Sequence, residues 1–464
     1  MSVDYKSTVF LPKTEFPMKA GLPAREPETL ARWEKDGLYH RQREASKGRE
    51  PFILHDGPPY ANGHLHIGHA LNKILKDVIS RSQQMMGKDS VYVPGWDCHG
   101  LPIEWKIEEK YRAEGKDKDE VPIIDFRREC REFADGWIDI QRTEFKRLGV
   151  LGDWDNPYTT MTYAAEAQIV RELGKFLMNG SLYKGARPIM WSPVEKTALA
   201  EAEVEYHDHT STTIHVRFPV NTPSTPELDG AAIVIWTTTP WTMPGNRAVA
   251  VGPDIDYSII QVTGVTDESH VKSGDKLVIA TLRLEDFCTA TGIESHETLS
   301  TLKGSAIAGT VCRHPLNGQG YDFDVPVLEA DFATTEDGTG IVHIAPGHGA
   351  DDWVLGRNHG IEAPQTVGED GCFYEHVPLF AGKHVYKVND EVAETLAQAG
   401  ALMAKGKLVH RYPHSWRSKA PLIFRNTSQW FISMETNNLR ETALKAIAET
   451  RFVPESGRTR LHGM

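Results

Sequence analysis

The densest group of residues able to do chemistry runs from Phe52 to His69 and reads Phe-Ile-Leu-His-Asp-Gly-Pro-Pro-Tyr-Ala-Asn-Gly-His-Leu-His-Ile-Gly-His. A short apolar run, a turn rich in glycine and proline, and the stripe Leu71, Ile74, Leu75, Val78, Ile79 read as strand, loop and helix. A strand that delivers a loop to the start of a helix gathers unpaired backbone N–H groups at the positive end of the helix dipole, where a phosphate can sit. Gly63 and Gly68 allow close backbone approach. His66 and His69, three residues apart at the helix start, can point one way and donate to phosphate oxygens as charge builds on an α-phosphate. A lone His-x-x-His is more often a polar turn than a site, so the length of the surrounding match decides its meaning.

A second block, Tyr92-Val93-Pro94-Gly95-Trp96-Asp97-Cys98-His99-Gly100-Leu101-Pro102-Ile103-Glu104, fits the next strand of an α/β sheet, with Gly95 to Gly100 as the loop at its carboxyl end where ligands bind. In isolation Asp97 reads as a turn-stabilising carboxylate. A third block, Trp236 to Arg247, places the hydroxyls of Thr237, Thr238 and Thr239 before a rigid turn that ends in Asn246. Alone, these threonines are a β-branched strand end. They gain a possible partner in Gly338 to Asp352, which combines flexible backbone, His343, His348 and the paired carboxylates Asp351 and Asp352; together the two segments can form a small polar pocket.

The elements that must position these groups change in texture along the chain. At 464 residues the chain suits two to four domains. Up to about Pro188, helical patterns alternate with short apolar runs, including a second stripe, Ile169, Val170, Leu173, Phe176, Leu177, that closes at Gly180. Both stripes predict helix faces packed in a core. From about Thr210 to Val327 the pattern is strand-like, with runs at Thr212–Val216, Ala232–Trp236 and Lys276–Ala280. A helix is expected from Asn389 or Asp390, capped by one of them, with Val392, Leu396 and Leu402 on its apolar side. The basic, aromatic segment His410 to Arg417 follows. The expected plan is an extension over 1–50, the first half of an α/β domain with a connecting segment over 51–209, a largely β insertion over 210–404, and a return to the first domain over 405–464.

With 40% hydrophobic and 25% charged residues, and no apolar run of about 18 residues, the composition predicts a globular protein with no membrane span. Met1 to Lys6 lacks the blocks of a signal peptide, which makes a cytoplasmic location the expectation. Five scattered cysteines without a Cys-x-x-Cys pair predict neither a disulfide framework nor a zinc knuckle. A net charge of -13 opposes non-specific binding to a polyanion, so nucleic acid must be met by a local patch.

The first two blocks together resemble the signature of class I aminoacyl-tRNA synthetases, and their flanking residues look like the bacterial-type isoleucyl-tRNA synthetase family; valine and leucine relatives generally carry a Met before the signature glycine. The Trp236 and Gly338 blocks resemble the editing domain inserted in isoleucyl, valyl and leucyl synthetases. The resemblance implies a Rossmann-like α/β catalytic domain, incomplete in this chain, interrupted by a largely β editing domain. It further implies ATP-dependent ligation of isoleucine to tRNA-Ile through isoleucyl-adenylate, with hydrolytic proofreading of valyl-tRNA-Ile.

By the same resemblance, Gly57, Pro58, Asn62, Gly63, His66, Gly68 and His69 would bind ATP, which enters with Mg2+. Pro58 and Gly95 would border the amino-acid pocket, and Asp97 would pair with its α-ammonium group. In the editing site Asp352 would hold the ammonium of a misattached amino acid, and Thr237, Thr238 and Thr239 would position the ester and terminal adenosine. Asn246 would support them, and His343 would help exclude isoleucine. With no Ser-His-Asp set in view, a positioned water rather than a covalent nucleophile is expected.

Isoleucine, ATP and tRNA-Ile are the expected partners, with a monomeric chain. Some relatives carry zinc-binding cysteine pairs near Trp191 and Trp416; here Ser192-Pro193-Val194-Glu195 and His414-Ser415 stand there, and no metal is expected. His207, His209, His410 and His414 read as solvated or RNA-facing. No Lys-Met-Ser-Lys-Ser segment, Trp-Cys-Ile-Ser-Arg-Gln strand or helical anticodon domain follows, so weak or absent activation by the fragment is expected. Two other readings stand beside this one: a free-standing ester hydrolase for mischarged tRNA, and a non-catalytic tRNA-binding module.

Overall fold

The structure is a computed structural model and describes residues 5–10, 14–15 and 19–464. The chain forms two compact units, Met1–Met178 and Asn179–Met464. Met1 to Asp4, in the expected amino-terminal extension, lies outside the described residues.

In the first unit α1 (Leu22–Lys35) and α2 (Leu38–Ala45) precede β1 (Pro51–Ile53), α3 (Ile67–Met85), β2 (Asp89–Val91), β3 (Gly95–Trp96), α4 (Leu101–Ala113), α5 (Ile123–Arg147), β4 (Tyr158–Thr159) and α6 (Tyr163–Met178). β1 and β2 pair in parallel, Phe52 opposite Ser90, with α3 as the crossover. Tyr92, Trp96, Ile103, Ile138, Phe145 and Trp154 form the core of this unit. On α5 the buried residues Ala134, Ile138, Gln141 and Phe145 recur at helical spacing and give the helix one inward face.

α3 reverses the packing expected from its stripe. Leu71, Leu75 and Val78 are 60%, 54% and 58% exposed. The residues that α3 buries are Lys73 and Ser80. The stripe of α6 is open too, with Ile169, Val170, Leu173 and Leu177 all exposed. An apolar helix face needs a layer to cover it, and β1 and β2 form a sheet of only two strands among the described residues. Periodicity therefore reported the helices correctly and the burial wrongly.

The second unit begins with β5 (Leu182–Ser192), β6 (Thr197–Ala198), β7 (Val204–Thr222), β8 (Ala232–Thr237), β9 (Ala248–Val251), β10 (Asp256–Val265), β11 (Lys276–Ala280) and α7 (Leu284–Thr291). It continues through β12 (Ile293–Lys303), α8 (Gly304–Ile307), β13 (Val311–Arg313), β14 (Asp324–Glu329), β15 (Ile341–Ile344), α9 (Ala350–Asn358), α10 (Asn389–Gln398), β16 (Leu402–Ser415), β17 (Ile423–Ile432), α11 (Leu439–Glu449) and α12 (Ser456–His462). Ten strands form one mixed sheet in the order β12-β10-β11-β8-β15-β9-β14-β13-β7-β16, and a further pairing of β8 with β7 closes the ring from β8 through β15, β9, β14 and β13 to β7. Ring closure removes the free edges of those strands.

β8 shows why its sequence is apolar without alternation. Ile233 and Ile235 join the cluster of Ile214, Phe218 and Val249, whereas Ala232 and Val234 pack on the other side with Phe287 of α7. Both faces of the strand are buried, which suits a continuous apolar run.

β16 runs antiparallel to β7 from Leu402 opposite Val216 to Ser415 opposite Val204, and β17 pairs with β5 over its whole length. Residues 209–210 and 404–405, the expected ends of the insertion, thus fall inside β7 and β16. The expected cap of α10 is corrected: Val388 occupies the N-cap with no side-chain cap. Asn389 Oδ1 instead accepts the Trp241 N–H at 3.1 Å, a bond that fixes a distant turn. Val392 and Leu396 are buried on α10 as expected, but Leu402 is the first residue of β16.

Candidate functional site

The glycine-rich loop ends on α3, whose N-cap is His66. His66 Nδ1 accepts the Gly68 N–H at 3.0 Å, and His69 Nδ1 accepts the His66 N–H at 3.3 Å. The two rings stack with centroids 3.8 Å apart. Because each Nδ1 accepts a backbone proton, each neutral ring carries its own hydrogen on Nε2 and can donate it to a ligand. Burial, followed by the charges of His66 and Lys73, holds His69 below the usual histidine range and favours that neutral donor. Gly68 leaves room for the His66 ring, since a Cβ there would lie 2.8 Å from His66 Cε1. Gly63 adopts φ +81° in the turn before the helix, a left-handed conformation that glycine takes without strain.

No motif marks all of the groups that brace this loop. Gln141 is fully buried; its Oε1 accepts Trp96 Nε1–H at 2.9 Å, and its Nε2 donates to the carbonyls of Tyr60 at 3.1 Å and Gly63 at 2.8 Å. Glu144, one turn on, accepts the Leu65 N–H at 3.0 Å. The available signal was a glutamine on the otherwise apolar stripe of α5. Beneath the loop Lys73, 2% exposed, is ion-paired with Asp56 and donates to Tyr92 Oη at 2.9 Å. Asp56 also takes Lys76 Nζ at 2.5 Å and the Gly95 N–H at 3.0 Å. Burial alone would raise the Asp56 carboxyl, but the lysines and the amide hold it below its ordinary value.

The Gly95–Asp56 bond brings the two signature blocks together. A Cβ at Gly95 would lie 3.3 Å from Pro58 Cβ, so Pro58 and Gly95 are neighbours. The Asp97 N–H donates to Pro59 O at 2.8 Å, and Asp97 O accepts the Ala61 N–H at 2.9 Å. The Asp97 carboxylate is held only loosely, its Oδ1 3.4 Å from both the His99 nitrogen and Thr160 Oγ1. Asn62 Nδ2 donates to Pro102 O at 2.9 Å, which ties the loop to the start of α4. At Gly57 a Cβ would meet Lys76 Nζ at 3.8 Å, an ordinary contact.

In the second unit most of the other predicted residues form one hydrogen-bonded line. Thr237 Oγ1 and Thr239 Oγ1 are 3.2 Å apart, and Thr239 Oγ1 is 3.4 Å from Thr242 Oγ1. Thr242 Oγ1 lies 3.0 Å from His343 Nε2, while Asn246 Nδ2 donates to His343 Nδ1 at 2.8 Å. His343 must therefore carry its proton on Nε2 and donate it to Thr242, whose hydroxyl donates to Thr239 O at 2.8 Å. Thr242 is the joint of this line; it lay in the motif without an assigned role.

Burial, reinforced by His314 and His348, pushes His343 down to about 3, so the ring is neutral. Asp352 Oδ2 accepts the Ala345 N–H at 2.8 Å, and burial raises its carboxyl to about 6. Thr238 joins no hydrogen bond of the line and instead lines a cavity of about 340 Å³ with Thr239 and Trp241.

Two expectations about the basic segment change. His414 is buried, not solvated, with Nδ1 2.8 Å from Tyr412 O. His209 is partly buried between neighbouring rings, with its centroid 5.0 Å from that of Tyr412. Where some relatives carry cysteine pairs, buried Glu195 accepts from Ser415 Oγ and, at 3.1 Å, from the Ser418 N–H. All five cysteines are free. No helix among the described residues is long and apolar enough to cross a membrane.

A family profile described as "tRNA synthetases class I (I, L, M and V)" matches residues 28–464. The chain is 57% identical over 474 residues to the isoleucine–tRNA ligase of Gluconobacter oxydans (strain 621H), an alignment covering 99% of this chain and 49% of the relative. It is 56% identical to the isoleucine–tRNA ligase of Pelagibacter ubique (strain HTCC1062), over 99% of this chain and 50% of the relative. With the isoleucine–tRNA ligase of Rhodopseudomonas palustris (strain ATCC BAA-98 / CGA009) the identity is 53%, over 99% and 49%. The chain spans about half the length of the curated relatives it matches.

Proposed function

The chain belongs to the class I tRNA synthetases of the isoleucine, leucine, methionine and valine group, and from that premise we propose that it serves isoleucine–tRNA ligation, contributing part of an ATP site and a complete hydrolytic site for valyl-tRNA-Ile. Identity of 51–57% to isoleucine–tRNA ligases favours isoleucine within the group.

In the first site the Nε2–H groups of His66 and His69 donate to the α-phosphate of ATP, which binds with Mg2+. Asp97 takes the ammonium of isoleucine beside Pro58 and Gly95. Attack of the isoleucine carboxylate on the α-phosphate forms isoleucyl-adenylate and releases pyrophosphate, and the two histidines stabilise the charge that builds. Part of the signature loop is held before substrate arrives, since Gln141 donates to the carbonyls of Tyr60 and Gly63.

The single observation that carries the hydrolytic reading is the line from Thr237 through Thr239 and Thr242 to His343 and Asn246. Asp352 holds the ammonium of the misattached amino acid, and the threonine hydroxyls hold the ester and terminal ribose. Water attacks the ester carbonyl carbon, the C–O bond to the ribose breaks, and the ribose oxygen leaves with a proton. The neutral His343 ring walls the side-chain pocket. Such a site is needed because one methylene separates valine from isoleucine, worth only about 1–3 kcal/mol in an apolar pocket, with this amino-acid pair the established example of the limit.

The test is hydrolysis of valyl-tRNA-Ile by the full chain and two variants. Asp352→Ala leaves the ammonium unpaired, a loss of about 2–5 kcal/mol, or roughly 30-fold to several thousand-fold in kcat/KM. His343→Ala widens the pocket and lets isoleucyl-tRNA-Ile be cleaved. Normal hydrolysis by Asp352→Ala, or continued sparing of isoleucyl-tRNA-Ile by His343→Ala, removes these roles.

A further inference from the structure

α3 turns a polar face inward. Lys73, Asp77, Ser80 and Gln84 recur at helical spacing, and Lys73 and Ser80 are the residues that the helix buries. Buried polar groups ordinarily find partners, and Lys73 has them in Asp56 and Tyr92. Ser80 does not. It is 7% exposed, and its hydroxyl has no hydrogen-bond partner among the described residues. The same holds for the hydroxyl of Ser90 on β2, 5% exposed, and for Arg43 Nε on α2.

These three residues line one cavity of about 70 Å³, room for several water-sized groups. Its walls are already fixed: Arg81 Nη2 donates to Gly149 O at 2.6 Å, and Asp77 Oδ1 accepts the Leu151 N–H at 2.9 Å. Tyr39 and Leu151 also line a second cavity, of about 480 Å³, between α1, the end of α5 and the loop over 149–155. There Leu30, Trp33, Leu38, Val150 and Trp154 supply an apolar, aromatic wall. A large apolar space beside a few buried polar groups is the usual form of a small-molecule site.

Charge pairing limits the kind of ligand. In the smaller cavity Arg43 pairs with Asp89 and Arg81 with Asp77, each at 2.6 Å, so a charged head group would find no free counter-ion there. In the larger one Lys146 pairs with Glu34 at 2.6 Å, and Asp153 accepts the Asn156 side-chain amide at 3.1 Å. What is left over is the Arg43 Nε–H, a donor, and two serine hydroxyls that either give or accept a hydrogen bond. Burial holds the Tyr39 phenol above its ordinary value, so it stays a protonated donor. A carbonyl for Arg43 and an N–H for a serine oxygen complete the set.

We propose that the two cavities form one binding site for an uncharged, flat aromatic amide. The ring lies against Trp33 in the larger cavity, and the amide edge meets Arg43, Ser80 and Ser90 in the smaller. The site stands apart from the proposed function, since neither the threonine line nor the signature histidines take part in it.

The test is a ligand-observed NMR titration of the full chain with cinnamamide, cinnamate and cinnamylamine, which share a flat aromatic body and differ in the charge of the head. Cinnamamide binds at least about tenfold more tightly than either charged compound. Combining Ser80→Ala with Ser90→Ala weakens cinnamamide about tenfold, and Trp33→Leu weakens all three compounds severalfold.

Cinnamamide that binds no better than the charged compounds, or equally well to the serine double variant, overturns the proposal. So does the absence of binding by all three, which would make the smaller cavity a hydration site. The serine substitutions delete hydroxyls that lack partners and keep the native fold, so they remain informative if Trp33→Leu disturbs the packing of α1.

Discussion

α3 in the first unit, with an apolar stripe at helical spacing, and β8 in the second, with a continuous apolar run, both ask in sequence for burial, yet they meet opposite fates. Ile233 and Ile235 of β8 are fully buried, with Ala232 and Val234 buried on the reverse face. Leu71, Leu75 and Val78 of α3 are more than half exposed, and the same helix buries a lysine. The β8 strand lies in a sheet whose ring closes within the chain. α3 lies beside a sheet of two three-residue strands. The lesson is that apolar spacing fixes which face of an element seeks cover, while the cover itself depends on what other chain is present. The proposed hydrolytic site therefore sits in a sheet whose ring closes, and the proposed nucleotide loop sits on a helix whose apolar face is exposed.

The comparison breaks most readily where burial is greatest. Phe218→Ala empties a fully buried position in the closed ring and is expected to cost about 3–5 kcal/mol, read from urea unfolding of the second unit's signal. A loss under 1 kcal/mol would mean that this core is loose.

Asp56→Ala strands Lys73 as a buried unpaired cation and should cost about 3–5 kcal/mol in the first unit, with Lys73→Met milder because it removes the charge. The pH sign follows from the lowered Asp56 carboxyl: its contribution is present above the unfolded value near 4 and is lost as pH falls through the still lower folded value. Unchanged acid stability in Asp56→Ala would contradict this.

Next in size is the pH profile of the proposed hydrolysis. In the proposed role Asp352 must be ionised to hold an ammonium, so kcat/KM should fall about tenfold per unit as pH drops below about 6. His343, already neutral with a value of about 3, adds no limb in that window. Stability moves the other way, since the contribution of the raised carboxyl is fully present below the unfolded value near 4 and is lost as pH rises from there through about 6. A flat profile between pH 5 and 7 would remove Asp352 from ammonium binding. The smallest effect is expected on α3, where Leu75→Ser and Val78→Ser should change stability by less than about 0.5 kcal/mol and improve solubility.

Much of this was legible in the sequence because local patterns carry it. The runs at 232–236 and 276–280 are strands, and the loop after β1 does lead into α3 with His66 and His69 side by side. Pro58 and Gly95 are neighbours, and Thr237, Thr239, Asn246 and His343 share one hydrogen-bond line. What escaped was set by tertiary partners. Gln141 reaches loops some 80 residues away, Asn389 serves a turn instead of its own helix, and His414 is buried by a strand pairing across two hundred residues. No spacing rule reports such contacts, because they depend on where the chain returns. The bare faces of α3 and α6 escaped for the complementary reason: a stripe predicts a cover without supplying one.

The most direct test of the account is to give one preparation of the 464-residue chain both assays, hydrolysis of valyl-tRNA-Ile and isoleucine-dependent exchange of pyrophosphate into ATP. The finished scaffold of the second unit predicts hydrolysis that Asp352→Ala abolishes. The uncovered α3 predicts exchange at or near background. Robust exchange without hydrolysis would contradict the account, for it would mean that the bare helix carries a working site and the closed ring does not.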